Sequence, residues 1–486
     1  MRPHMLRTLA TFVAVLASLL TLGPVASVAQ SPEASAVPSA SGSSAAAPSA
    51  PASAAPASAE PADQCVQPEA SLAPVAQEPL SIPEDFRIAL FDGVWQGIRD
   101  YYWDPDTNGL DWDAVGDEYA PLIIQTDDAY EVYSLLSEMV GLLDDPYTGF
   151  FAPEDLASTE AYNASYGGIG ALLDTSAAGE DTDGLRILYV FDGGSAKDAG
   201  IRARDRIVAV EGDPCARIAD IRGPSGTDVT LTVVSPGEEP REVTLERRQI
   251  APTILPEVHR LEDDPTVGYL GILSLAGQEG IDGIQQGLAE LLRGDPLDGL
   301  IIDLRASDTG APAVTISTLG NFVEGEVGEY HSRVGNEPIE VEPSDLFDRY
   351  ADVPVAVLVD EQTEADAEQL AAILQDQGRA VIVGAQTSGQ THGVATIDFP
   401  EGSLLQIVSF GFQLPDGRTL EGEGVTPDVP VEADWLAYPE SEDPFILAAL
   451  DALSASAASP APDGSSVPSP VPAATEPATA EAPPAG

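Results

Sequence analysis

What most limits the fold of this chain is a change of pattern along its length. Residues 30 to about 80 are dominated by Ala, Pro and Ser, and 455–486 repeat that character. Such segments bury too little apolar area to offset the entropy of ordering them, so 30–82 and 455–486 read as tails. Between them the hydrophobic period switches twice. Leu90, Val94, Ile98 and Tyr101 recur at helical spacing, as do Val132, Leu135, Leu136, Met139 and Leu143, which predicts a helical N-terminal cap over 83–160. From 161 to 249 short strands follow, at Ile169–Leu173, Leu185–Val190, Arg206–Val210, Val229–Val234 and Glu242–Arg247. From 250 to 436 buried-strand runs (Val267–Ile272, Gly299–Leu304, Val355–Val359, Ala380–Val383) alternate with helical stretches near Ile281–Leu292 and Glu364–Asp376. The expectation is a multidomain α/β chain with a cap, a β-rich domain, an α/β core and a short C-terminal helix over 437–454.

Arg2 and Arg7 precede an apolar run from Leu9 to Leu22 and small residues through Ala29, the pattern of a secretory signal peptide over 1–29. The run is shorter than the roughly 20 residues a membrane span needs, so membrane attachment is expected only if this segment stays uncleaved. The expected location is secreted or within the cell envelope. Eighty acidic side chains against 21 basic ones give a formal net charge of -59, which repels nucleic acid and anionic lipid. Cys65 and Cys215 permit one disulfide in an oxidising compartment. His259, His331 and His392 have no ligand-like spacing, so neither metal nor cofactor is expected.

Two sets of motifs carry a family resemblance. The phrase GSAKDAGIRARDRIVAVEGDP within 161–249 resembles a PDZ domain, a module that adds a peptide strand to its sheet edge and holds a terminal carboxylate on backbone N–H groups. Tyr166, Gly167, Gly168, Ile169 and Gly170 are its candidate peptide-binding loop. Further on come Asp303-Leu304-Arg305, then Val355 to Asp360 leading into a helix that ends Leu374-Gln375-Asp376, then Arg379 to Gly384 with Thr387 and Gly389. Leu414-Pro415-Asp416-Gly417-Arg418 and Thr426-Pro427-Asp428 close the set. Together these resemble the C-terminal processing peptidases, or tail-specific proteases, over about seven-tenths of the chain, from Phe91 to Val431.

The resemblance implies a tail-specific-protease core and peptide cleavage by a serine that a lysine activates. At those positions this chain carries Ala365 and Gln390, and the family's nearby glutamine falls on Val394. Alanine has no nucleophile and an amide is no useful base near neutral pH. The sole lysine, Lys197, lies in the PDZ-like region. Thr309 and Gly310 stand where the family keeps an oxyanion-binding glycine pair, and Ser388 and His392 are the polar residues that could replace the dyad. Glu361, Glu364, Asp366 and Glu368 crowd the helix start and read as helix-capping residues. The expected function is a pseudoprotease that binds polypeptide C-termini or unfolded segments, with an active protease relative as a candidate partner. The alternative is a serine-type peptidase with relocated catalytic residues.

Overall fold

The structure is a computed structural model that describes residues 81–153, 166–174, 184–215, 217–249, 253–308 and 310–458. The signal segment 1–29, most of each tail, Cys65 and Thr309 lie outside the described residues. Three helices open the fold: α1 (Glu84–Tyr101), α2 (Trp112–Gln125) and α3 (Ala129–Gly141). Asp111 and Asp128 cap the second and third by accepting from the N–H groups of Ala114 and Tyr130, at 3.1 and 3.0 Å. Such caps satisfy donors that a helix start otherwise leaves bare. The apolar stripe Leu90, Val94 and Ile98 packs on Val132, Leu136 and Met139. A short strand, β1 (Gly149–Phe151), follows.

The β-rich part comprises β2 (Tyr166–Gly167), β3 (Ala171–Leu173), β4 (Leu185–Val190), α4 (Ser195–Asp198), β5 (Arg206–Val210), α5 (Ile218–Ile221), β6 (Gly223–Pro224), β7 (Asp228–Val234) and β8 (Arg241–Glu246). Five strands form an antiparallel sheet in the order β3-β4-β5-β7-β8, and β2 pairs with β6 apart from it. Strand β7 alternates buried and open residues along its length, with Val229, Leu231 and Val233 in the core. The first strand starts two residues later than its apolar run suggests, because Gly170 turns the backbone at φ 79°.

The core is built on β9 (Glu257–Arg260), β10 (Val267–Gly271), β11 (Gly299–Asp303), β14 (Val355–Val359), β15 (Ala380–Gly384) and β18 (Val429–Pro430). They lie in the order β18-β15-β14-β11-β10-β9, parallel except for the antiparallel edge strand β9. Both faces are covered, which is why these strands are continuous apolar runs. Leu300, Ile302, Val355 and Val357 face α6 (Gly277–Leu291), α7 (Pro312–Leu319) and α9 (Ala365–Asp376). Ile301, Ala356 and Leu358 point the other way, onto Phe445, Ile446, Ala449 and Leu453 of α10 (Pro444–Ala458). The expected helix over 437–454 therefore begins seven residues late and runs further. Short 3-10 turns occupy Trp435–Ala437 and Glu440–Glu442, and Pro439 lies between them.

A second sheet has no counterpart in the sequence reading. It pairs β12 (Gly325–Ser332), β13 (Gly335–Val341), β16 (Gly393–Asp398) and β17 (Leu404–Gln413) with β1, and a one-turn helix, α8 (Phe347–Tyr350), follows β13. Leu405, Ile407 and Val408 of β17 belong to the same apolar cluster as the three cap helices.

Candidate functional site

Turns at the carboxyl ends of β11, β14 and β15 converge, the place where open α/β sheets present their functional groups. At the end of β11, Asp303 and Arg305 form a buried fork. Asp303 accepts from the Arg305 backbone N–H at 3.0 Å and from its Nε at 2.9 Å, and Tyr269 Oη donates to Asp303 Oδ2 at 2.7 Å. Arg305 Nη1 reaches Asp443 at 2.9 Å, and the guanidinium lies over Trp435, 4.2 Å from the ring centroid. Burial works against the Asp303 carboxylate, but Arg305 outweighs it and holds the carboxyl below its usual range. Beyond the fork, Ala306 takes φ 54° and donates its N–H to Asp360 Oδ1 at 3.0 Å. Asp360 also accepts from Trp435 Nε1 and Thr363 Oγ1, so one carboxylate ties the turns after β11 and β14 to the segment before α10.

The structure brings Ala365 and Gln390 together: the Ala365 N–H donates to the Gln390 carbonyl at 2.8 Å. Ala365 sits at φ 52°, in the left-handed region that costs an alanine about 1–2 kcal/mol. Gly310 lies against the next residue, since a Cβ added to it would stand 2.2 Å from Asp366 Cβ. Its partner in the expected oxyanion pair, Thr309, is outside the described residues. Ser388 and His392 are not joined by a hydrogen bond. Ser388 Oγ donates to Glu368 Oε2 at 3.1 Å. The His392 ring lies 4.5 Å from Trp103, with Nδ1 3.6 Å from Glu421 Oε1. Burial lowers the His392 imidazole's affinity for a proton, with Glu421 opposing.

The reading of the helix-start acids as caps is corrected. Glu364 occupies the N-cap of α9 but makes no side-chain cap hydrogen bond. Asp366 turns inward and accepts from Thr315 Oγ1 at 3.1 Å, and its burial raises its pKa to about 6. Glu368 is fully buried and accepts four hydrogen bonds from the loop after β15: from Thr387 Oγ1, Ser388 Oγ, and the N–H groups of Gly389 and Gln390, the last two at 2.8 Å. Thus Glu368 holds the loop that sets Gln390 on Ala365. Its position three residues into the helix hid this, because acids there also suit the helix dipole. Glu421, likewise missed, accepts from the Thr391 and His392 N–H groups at 2.8 and 3.2 Å. Glu364, Glu421, Asp145 and Glu368 all bear on Tyr147, where burial first and these carboxylates next raise the phenol's pKa. Such a cluster of carboxylates opposes the oxyanion of acyl transfer. Among the described residues no group of three or more His, Cys, Asp and Glu is placed to hold a metal ion.

The glycine loop lies in the β-rich part. Gly167 pairs with Gly223, and Gly168 exchanges backbone hydrogen bonds with Arg248 at 2.9 and 2.8 Å. The Ile169 carbonyl accepts from Ala196 N–H, and the Gly170 carbonyl from Phe191 N–H, each at 2.9 Å. Tyr166 pairs with Pro224 through the backbone. The N–H groups of Ile169 and Gly170 have no acceptor among the described residues, and β3, which follows, is a sheet edge.

A mostly parallel sheet with these turns at its carboxyl edge, joined to an antiparallel five-stranded sheet and a helical cap, defines an α/β fold of the C-terminal-processing protease type. Residues 266–431 match the model of peptidase family S41, and residues 84–141 that of the tricorn protease C1 domain. Over these two stretches the chain is similar to proteases of these families. It is 28% identical over 355 residues to a carboxyl-terminal-processing protease of a Picosynechococcus species, covering 71% of this chain and 83% of that one. It is 26% identical over 373 residues to carboxyl-terminal-processing peptidase 2, chloroplastic, of Arabidopsis thaliana, covering 73% and 70%. In three dimensions it is similar to a photosystem II D1 C-terminal processing protease, with a TM-score of 0.50 and 23% identity over 71% of this chain and 93% of that one. An S41 protease from Bacteroides fragilis gives a TM-score of 0.53 and 16% identity over 78% and 99%.

Proposed function

We propose that this chain is an exported, non-hydrolytic relative of the C-terminal-processing proteases that binds polypeptide C-termini through its β-rich part, read as a PDZ domain. The observation that carries the proposal is the meeting of Ala365 with Gln390. The positions that the resemblance assigns to nucleophile and base adjoin, and neither side chain can do that chemistry. Among the described residues the N–H groups of Ile169 and Gly170 have no acceptor and β3 is an edge strand, which supports the binding half, since a carboxylate needs convergent donors and an extended peptide needs a free edge. Among the described residues no helix is long and apolar enough to cross a membrane, and export rests on the first 29 residues. An active protease relative is a candidate partner.

Isothermal titration with peptides ending in a free apolar carboxylate, and with the same peptides amidated, tests binding. Saturable binding of the first set and none of the second is expected, and equal behaviour of the two sets would overturn the carboxylate reading. Mass-spectrometric mapping of a disordered polypeptide incubated with wild type and Ser388→Ala tests catalysis. No fragments are expected from either. Fragments from wild type that vanish in the variant would instead establish a peptidase rebuilt on Ser388, which would first have to withdraw its hydroxyl from Glu368.

A further inference from the structure

A cavity of about 320 Å³ opens between the β-rich part, the carboxyl end of the core sheet and the segment before α10. Its walls are apolar and aromatic: Leu188, Leu255 and Leu273 with Tyr189, Tyr269 and Trp435. The charged groups around it are almost all matched. Arg202 donates to Glu238 at 2.6 Å, Arg204 to Asp443 at 2.8 Å, and Arg305 to Asp303 and Asp443. Glu440 is 2.9 Å from His259 Nε2. Glu257 is the exception. Among the described residues its one basic neighbour within 4 Å is His259, whose Nδ1 lies 3.9 Å away, beyond hydrogen-bond reach, and no donor among them serves it. The Glu257 side chain is 59% exposed where it lines the cavity, and partial desolvation by the surrounding protein pushes its carboxyl above its usual range.

A cavity of this size, with apolar walls and one unmatched carboxylate, selects a ligand that brings a cation on an apolar stem. Trp435 already lies against Arg305 and Arg204, and Tyr269 against His259, so Tyr189 is the lining ring left to attract an ammonium group. We propose that this cavity binds an alkylammonium group, either a free alkylamine or the side chain of a client's lysine, with Glu257 as its counter-ion. The proposal is independent of the terminal-carboxylate reading, which concerns other residues. Its floor reaches the Ala306 turn, since Trp435 donates to Asp360 and Asp360 accepts from the Ala306 N–H.

The test is calorimetric titration of the folded full chain with 1,5-diaminopentane and with acetyl-Gly-Lys-Gly-amide, using 1-pentanol as the uncharged control. One saturable site per chain is expected for the diamine, and binding of the peptide as well would assign the site to lysine side chains. Glu257→Gln should weaken binding about tenfold or more, the effect of losing one partly shielded ion pair. Leu255→Trp, a half-exposed wall residue enlarged into the cavity, should weaken it independently. Glu337→Gln, an exposed acid on β13, should leave it unchanged. Unsaturable binding, or equal effects of Glu257→Gln and Glu337→Gln, would mean diffuse attraction to the acidic surface and overturn the proposal. Thermal melts of each variant verify folding.

Discussion

Asp366 spends its charge in an expensive place. Buried beside Gly310, with Thr315 Oγ1 as its hydrogen-bond donor, it titrates near pH 6 in the fold, against about 3.9 in an unfolded chain. A carboxyl whose pKa is raised by folding favours the native state while it stays protonated. Its contribution is therefore fully present below pH 4 and is lost as the pH rises through 6. Above that window the penalty is about 2–3 kcal/mol. Asp366→Asn keeps an acceptor for Thr315 without the charge. We expect it to raise unfolding free energy at pH 7.5 by about that amount and to flatten the decline between pH 4 and 6. Urea melts of both proteins across that range check it, and a less stable Asn variant at pH 7.5 would show that the carboxylate is stabilised there. Ala365 is costly in another way, since its left-handed backbone serves no reactive side chain.

At the scale of elements, the contact that shapes the site joins α9 to the loop after β15 through Glu368. In Glu368→Gln one carboxylate oxygen becomes an amino group facing donors, so at least one buried N–H or O–H loses its acceptor. The expected cost is about 2–3 kcal/mol, with faster hydrogen exchange at the Gly389 and Gln390 amides while the core sheet stays protected. Unchanged exchange at those amides would show that the loop holds itself. The sequence made parts of this architecture easy to see and hid others, for physical reasons. Strand β14 was legible to the residue because both its faces are buried, so five successive residues are apolar. The β12-β13 hairpin was not. Its strands carry Glu326, Glu329, Glu337 and Glu340, and a register shift between Glu326 and Gly328 breaks the alternation that would reveal them. In the site, the meeting of Ala365 and Gln390 was legible through motif spacing. The inward reach of Asp366 and Glu368 was not, because an acid at a helix start looks the same whether it faces water or the core.

For the whole molecule, a formal charge of -59 is the dominant long-range term, and its few cations are used sparingly. Several arginines bind backbone carbonyls instead of acids: Arg260 those of Pro265, Leu291 and Asp295, Arg333 those of Tyr102, Asp104 and Pro105, and Arg379 those of Tyr350 and Val353. Arg333 thereby staples the β12-β13 hairpin to the end of the cap. These contacts resist salt better than exposed ion pairs, whereas repulsion among surface carboxylates is screened within about 10 Å at 0.1 M. Raising NaCl from about 0.05 to about 1 M should therefore raise the melting temperature, read by circular dichroism. A fall would mean that exposed ion pairs such as Arg202–Glu238 outweigh the repulsion. The scarcity of amines has a practical consequence. Lys197 is the one lysine, more than half exposed on α4, next to the Ser195 and Ala196 groups that bond the Ile169 carbonyl. Asp192 holds its ammonium in the charged form, so an amine-reactive dye would couple slowly there but at a single side chain. The fluorophore would then stand beside the glycine loop without any engineered cysteine.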